Sequence, residues 1–364
     1  MYKISLVSKN KLTTMPFKSQ ISLSEKQIHK IILEHFPHEK TIRISEIEKS
    51  FVNPVYEFKL ANNESYILKV NNPEWPLKQT RELKAMTIAE KNTTIPLPRV
   101  ITDQLTNDTY PFSYMILEKL PGKDLKAIVE QNLITKREFL SVVRKVGYHL
   151  GELHTITFDH FGDFCVNQEN YSKKSSNYFW GNKFTNWAAC FKAFCYDMLN
   201  WVDRTSFPNY RKPLEWKINE LSERMEEPNE NGCFVHSDIQ PTNILVKNGK
   251  VTGIIDFEWS YAGSPSFDFY LTKAGFYFSA FPSLAESKII TQLDLNQEEV
   301  HKELVAGYQT SYKKQLADLP NELLDFVWLL YMIGSWKWSI SSSTPKEIIA
   351  YEKSIHELFS RVIS

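Results

Sequence analysis

The chain has 364 residues, with 43 Lys+Arg against 43 Asp+Glu and so a formal net charge of zero. That length suits two lobes or domains of roughly 100–200 residues each, and 42% hydrophobic with 24% charged residues describes a folded protein rather than a disordered one. The even balance excludes a generally basic, nucleic-acid-coating surface, so no nucleic-acid partner is expected.

Glycine is scarce, at twelve residues, so any phosphate cradle must be built with few of them. The four cysteines (Cys165, Cys190, Cys195, Cys233) form no C-x-x-C pair and no zinc spacing. They read as reduced, buried thiols of a cytoplasmic protein. The first twenty residues lack a continuous apolar run and make a poor signal peptide. The longest apolar stretch, around Phe326–Ile333, is far short of the ~20 residues that span a bilayer. No membrane partner is expected.

In chain order, residues 1–20 read as a loose polar arm. Ser22 with Glu25 has the spacing of a capping box, and Ile28, Ile31, Ile32 and Phe36 follow at helical period. From Thr41 to Ile47 the pattern alternates, as a half-buried strand does. Val55–Leu60 and Ser65–Val70 read as a hairpin joined through residues 61–64. Trp75–Glu90 is helical until Pro96 and Pro98 stop it. Arg99–Asp103 and Tyr114–Glu118 read as strands, and Lys119–Gly122 breaks the pattern. An N-terminal, β-rich lobe is therefore placed at residues 1–120, and a mainly helical C-terminal lobe at 121–364.

In the second lobe, Phe139, Val142, Val143, Val146, Leu150 and Leu153 mark a long buried helix. Asn186–Val202 and Pro213–Met225 are further helices. A short β interruption covers Phe234–Val235, Ile244–Val246 and Val251–Ile255, with an Asn248-Gly249 hairpin turn. Helices follow from about Asp268 to Ile363. Trp328, Tyr331, Trp336 and Trp338 fall on one of them, and core packing is their ordinary role.

The chemistry concentrates between Cys233 and Tyr270. His236-Ser-Asp238-Ile-Gln-Pro-Thr-Asn243 has the form H-x-D-x-x-x-x-N, and Ile254-Ile-Asp256-Phe-Glu258 follows after the hairpin. A loop holding Asp238 and Asn243 can set a carboxylate beside a hydroxyl and an amide oxygen beside a metal. Asp256, at a strand end, can add a second metal-binding carboxylate. Magnesium prefers such oxygen ligands, and phosphoryl transfer is mostly positioning and charge neutralisation.

This stretch resembles the aminoglycoside phosphotransferase/choline kinase family of protein-kinase-like small-molecule kinases. Tyr66-Ile-Leu-Lys69-Val is similar to the family's lysine strand, and Thr80-Arg-Glu82-Leu to its glutamate helix. Ile95-Pro-Leu-Pro-Arg-Val100, Tyr114–Gly122, Leu150-Gly-Glu-Leu-His154 and Ala262–Asp268 are similar to further family segments, in order, from about residue 40 to 270. The resemblance implies an α+β, two-lobed fold, with an antiparallel N-terminal sheet lobe and a larger helical lobe that binds the acceptor.

It also implies site residues. Asp238 accepts or orients the acceptor hydroxyl proton. Asn243 and Asp256 hold Mg²⁺. Lys69 contacts the phosphates of ATP (or GTP), and Glu82 holds Lys69. Backbone groups around Glu118 and Leu120 meet the adenine edge, while His236 and Asp268 brace the catalytic loop. Glu258, Trp336 and Trp338 are candidate acceptor contacts. The phosphate turn, residues 48–54, has no glycine, so Ser50 and Asn53 are its candidate hydrogen-bonding groups. Ser237 and Thr242 stand where the family commonly has glycine.

The activity implied is an ATP-dependent O-phosphotransferase acting on a small-molecule hydroxyl, with an aminoglycoside-like antibiotic as leading acceptor. The alternatives are a macrolide, a metabolic alcohol such as choline, homoserine or a sugar, or an inactive nucleotide-binding protein. No D-F-G or A-P-E segment supports a protein kinase. The zero charge hides a gradient: Lys+Arg exceeds Asp+Glu by four over residues 1–120 and falls short by five over 256–364. A positive first lobe suits ATP, and a negative last third suits a cationic acceptor. The sequence leaves the oligomeric state open.

Overall fold

The structure is a computed structural model and describes residues 22–47, 53–71, 77–165, 179–225, 231–277, 288–341 and 344–363. The N-terminal arm and Ser50 lie outside the described residues. The first helix, α1 (Glu25–His35), is opened by Ser24, whose hydroxyl accepts from the Gln27 amide while the Gln27 side chain returns to the Ser24 amide. The Ser22–Glu25 spacing thus points two residues too early. Glutamine serves as well as glutamate at the third helical position, and Gln27 occupies it.

Ile28, Ile31 and Ile32 of α1 pack with Phe58, Leu60, Leu68, Val70, Tyr114 and Ile116 on one face of a five-stranded antiparallel sheet. Its strands are β1 (Thr41–Glu46), β2 (Val55–Leu60), β3 (Ser65–Asn71), β4 (Val100–Gln104) and β5 (Ser113–Glu118), in the order β1-β2-β3-β5-β4. Helix α2 (Lys78–Asn92) lies between β3 and β4 in sequence and packs Ala85, Met86 and Ala89 with Met115 and Leu117. Strand alternation does the sorting. Leu68 and Val70 point to α1, so Lys69 points the other way, paired in register with Val55 and Met115.

The chain continues through β6 (Lys123–Asp124), α3 (Leu125–Glu130) and α4 (Lys136–His154). Short strands β7 (Thr157–Phe158), β8 (Phe161–Gly162) and β9 (Lys183–Phe184) precede α5 (Trp187–Leu199) and α6 (Arg211–Glu223). Next come β10 (Gly232–Val235), the β11 (Ile244–Lys247) and β12 (Lys250–Ile254) hairpin, and β13 (Tyr261–Gly263). Five helices close the chain: α7 (Pro265–Tyr277), α8 (Lys288–Gln292), α9 (Gln297–Ser311), α10 (Asn321–Ser341) and α11 (Pro345–Ile363). The expected Asn-Gly turn forms, with φ of 51° at Asn248 and 69° at Gly249.

Two of the scarce glycines serve helix packing. A Cβ on Gly307 of α9 would lie 1.8 Å from the Arg144 carbonyl oxygen, and one on Gly147 of α4 would lie 2.1 Å from that of Leu304. The α4 and α9 backbones therefore touch. All four cysteines are buried and none forms a disulfide. Among the described residues no helix is long and apolar enough to cross a membrane.

Candidate active site

Strand β10 delivers the chain into the loop His236–Asn243. Ser237 takes φ of 63° there, a left-handed conformation that an L-residue holds only when its surroundings insist. The insistence comes from Asp268 on the first turn of α7. Its two carboxylate oxygens accept the His236 and Ser237 amides, each at 2.8 Å. Asp268 is fully buried and also meets His154 Nε2 at 3.2 Å, while His154 Nδ1 meets the Tyr308 hydroxyl at 2.7 Å. The His236 ring packs on Phe257 with centroids 4.3 Å apart, and its Nδ1 accepts the Asp238 amide at 3.3 Å. Burial lowers the His236 pKa, which keeps the ring neutral and able to accept.

Asp238 is half-buried and held on three sides. The Asn243 amide Nδ2 donates to its backbone oxygen at 2.9 Å and to Oδ2 at 2.8 Å, and Gln240 Nε2 donates to Oδ1 at 2.8 Å. Burial first, then the charges of Asp256 and Glu258, raise the Asp238 pKa well above the ordinary carboxylate range. Asp256 follows β12 and adopts φ 71°, ψ 59°. That backbone reversal turns its carboxylate back toward β3, where Lys69 Nζ lies 2.8 Å from Oδ1.

Lys69 is the hub of a buried ion network. Its ammonium lies 2.9 and 2.8 Å from the two Glu82 oxygens and 3.1 Å from Glu258 Oε2. Burial alone would lower the Lys69 pKa, but Asp256, Glu258 and Glu82 outweigh it and raise it. Burial, with Asp256 and Glu258 close by, pushes Glu82 up to about 7. Glu258 also meets Lys78 at 2.5 Å and accepts from Asn53 at 2.8 Å. One turn along α2, Arg81 forms a two-pronged pair with Asp163 at 3.0 and 2.9 Å, and its guanidinium stacks on Trp180 at 3.8 Å.

The donor set suits a hard cation. Oxygens of Glu82, Asp256 and Glu258 lie within 4.8 Å of one another, but the Lys69 ammonium already sits among them. The better pair is Asn243 and Asp256. Asn243 uses its Nδ2 on Asp238, which turns its amide oxygen the other way, and Asp256 binds Lys69 through Oδ1 alone. One amide oxygen and one carboxylate oxygen, with no nitrogen or sulfur ligand, match the preference of Mg²⁺.

The remaining expected site residues are placed as follows. The Glu118 amide donates to the Arg99 carbonyl at 2.9 Å, and Leu120 packs on Gly253. Trp336 donates its indole to Glu352 at 3.3 Å and packs edge-on against Phe207, so its contacts are with its helical neighbours rather than the catalytic loop. The Trp338 side chain lies outside the described residues. On the same helix, burial first and then the charges of Asp238 and Asp268 raise the pKa of Tyr331, whose ring packs against Phe194.

Sequence reasoning missed Lys78, Arg81, Asp163, Asp197 and Tyr331. One signal was available. Lys78, Arg81 and Glu82 sit at i, i+3 and i+4, so three charges share one face of a helix.

The family model described as "Phosphotransferase enzyme family" matches residues 43–304. The chain belongs to that family. No curated protein matches it. A thermostable mutant of the aminoglycoside phosphotransferase APH(4)-Ia superposes with a TM-score of 0.58 at 15% identity, covering 91% of this chain and 98% of that one. A protein described as a fructosamine-3-kinase from Haemophilus somnus gives 0.59 at 14% identity, over 93% and 97% of the two chains. The aminoglycoside phosphotransferase APH(2'')-Ib, bound to ADP, gives 0.53 at 16% identity, over 93% and 98%. At such identities the structures share the fold, which is α+β, two-lobed and kinase-like. The family makes it a phosphotransferase.

This phosphotransferase carries a further perturbed acid on α5. Burial pushes Asp197 up to about 6, against the opposing pull of Arg81 and a hydrogen bond from Trp180. The sign follows from linkage. Between about pH 4 and 6 the unfolded chain ionises Asp197 and the folded chain does not, so the native state loses stability as pH rises and the loss saturates above 6. Asp197→Asn should therefore stabilise the protein by up to about 3 kcal/mol at pH 8 and by almost nothing at pH 4. Denaturant melts at the two pH values check this, and an equal effect at both would exclude it.

Proposed function

We propose that this phosphotransferase moves the γ-phosphoryl group of ATP, with Mg²⁺, to a hydroxyl of a small molecule, and that the acceptor is an amine-bearing, aminoglycoside-like antibiotic. One observation carries the reading: the Asn243 amide ties itself to both the backbone and the carboxylate of Asp238, with Asp256 bound to the buried Lys69. Asp238 accepts or orients the hydroxyl proton. Asn243 and Asp256 offer the oxygens that hold Mg²⁺, which when bound neutralises phosphate charge. Lys69 contacts the phosphates and Glu82 fixes Lys69. Backbone groups around Glu118 and Leu120 take the adenine edge, while His236 and Asp268 brace the loop.

The acceptor assignment rests on charge and on the aromatic wall. Acidic residues outnumber basic ones over 256–364. Trp259 and Trp180 lie with centroids 5.6 Å apart, and the Ser237 hydroxyl donates to the Trp259 carbonyl, which joins that wall to the catalytic loop. Arg81 and Lys78 already lie over these two rings, so the rings offer apolar contact and the preference for a cation comes from the acidic excess. Among the structural relatives, APH(4)-Ia is recorded with hygromycin B and APH(2'')-IIa with gentamicin.

The test is ATP consumption with Mg²⁺ across aminoglycosides, macrolides, choline, homoserine and sugars. Turnover is expected with an aminoglycoside and should vanish when EDTA removes the metal. Turnover confined to a macrolide or a metabolic alcohol would overturn the acceptor. Silence across the panel would point instead to an inactive nucleotide-binding protein.

A further inference from the structure

Glu258 is 3% exposed and both its oxygens are in use. Oε2 meets Asn53 at 2.8 Å and Lys69 at 3.1 Å, and Oε1 meets Lys78 at 2.5 Å. Its backbone oxygen accepts from Arg81 at 3.3 Å. A carboxylate so engaged has little left to offer an acceptor.

The charges explain why a second lysine is needed. Lys69 faces three carboxylates, Glu82, Asp256 and Glu258, within 3.1 Å. It must also meet nucleotide phosphates. A Glu258 without another cation would be a buried, half-compensated anion beside Lys69, and it would compete with the phosphates for that ammonium. Lys78 answers this. It is 1% exposed, on the first turn of α2, and its ammonium also lies 4.5 Å from the centroid of the Trp259 ring. Glu258 in turn holds Asn53, next to the last residue of the glycine-free phosphate turn.

We propose that Lys78 is a positioning residue of the nucleotide site: it neutralises Glu258, which keeps Lys69 available to the phosphates and anchors the end of the phosphate turn through Asn53. This rests on the reading of Lys69 as the phosphate contact. The test is calorimetric binding of Mg-ATP and, separately, of adenosine to the full chain. Lys78→Met should weaken Mg-ATP by about tenfold and leave adenosine within about twofold. Lys78→Arg should stay within about threefold of wild type. Adding Glu258→Gln to Lys78→Met removes the competitor and should restore Mg-ATP binding to within about threefold.

The double variant buries no lone charge, so it serves where Lys78→Met alone does not fold. Wild-type Mg-ATP binding by Lys78→Met, equal losses for adenosine, or no recovery in the double variant each overturn the proposal. Lys69→Met separates the two readings. If it leaves Mg-ATP binding intact, the phosphate role of Lys69 is wrong. If it weakens binding and Lys78→Met does not, only the Lys78 role falls.

Discussion

Asp238→Asn is expected to lower kcat by about a thousandfold with the acceptor that the panel identifies, within the range a positioned base contributes. Mg-ATP affinity should hold or tighten. Asparagine keeps the shape of the side chain, and Gln240 can turn to give it a partner, but it cannot take a proton from a hydroxyl. The substitution also leaves the side chain neutral at every pH beside Asp256 and Glu258, so an anionic nucleotide meets no more repulsion than in the wild type. The signature is therefore a kcat loss with an unchanged or lower KM for ATP. Steady-state kinetics with ATP varied would show it. A variant that keeps a tenth of wild-type kcat would remove Asp238 from the proton-handling role.

The site divides sharply into what local sequence reveals and what it hides. His236 to Asn243 is one continuous loop, and its spacing suggests that Asp238 and Asn243 serve one site; the bond between them is added by the structure. The Asn248-Gly249 turn is legible because the chemistry of positive φ is local. The Lys69–Glu82 pair is implied by the family resemblance, and the two residues lie thirteen positions apart on neighbouring elements. The bonds between the lobes are different. Lys69 meets Asp256 across 187 positions and Asn53 meets Glu258 across 205, and no periodicity encodes a pairing at that range.

Lys78 and Arg81 look like ordinary surface charges of an amphipathic helix, yet both are buried, because tertiary pairing overrides the usual exposure of such residues. Asn53 illustrates the point from the other side. The sequence marks it as a hydrogen-bonding residue of the phosphate turn, and the structure uses its amide on Glu258. The two- and three-residue strands β6, β7, β8, β9 and β13 are unreadable for a simpler reason: they are shorter than the alternation needed to recognise a strand.

The largest effect on stability should come from Arg81→Met. Asp163 is fully buried. Burial pushes its pKa up, but Arg81 and the amides of Cys165 and Gly181 outweigh that and hold it below the ordinary value. Removing the guanidinium leaves a buried carboxylate on two backbone donors, which costs about 3–5 kcal/mol. The pH dependence has a definite sign. In the wild type the pair contributes stability above the unfolded carboxylate pKa, and that contribution fades only as pH falls through the lower folded value. In Arg81→Met the balance reverses, and burial raises the Asp163 pKa above its unfolded value. The penalty is then full at pH 8 and shrinks toward pH 4, where Asp163 can be neutral. Asp163→Asn in the same background should recover part of the loss at pH 8, because the amide oxygen still accepts from one of the Cys165 and Gly181 amides and no charge is buried. Denaturant unfolding of the three proteins at pH 5 and pH 8 measures each term. A penalty independent of pH would mean that Arg81 acts through its packing on Trp180 rather than through its charge. The pair also joins α2 to the segment after β8, so its loss should loosen the helix that positions Glu82, and Mg-ATP binding should weaken in parallel with stability.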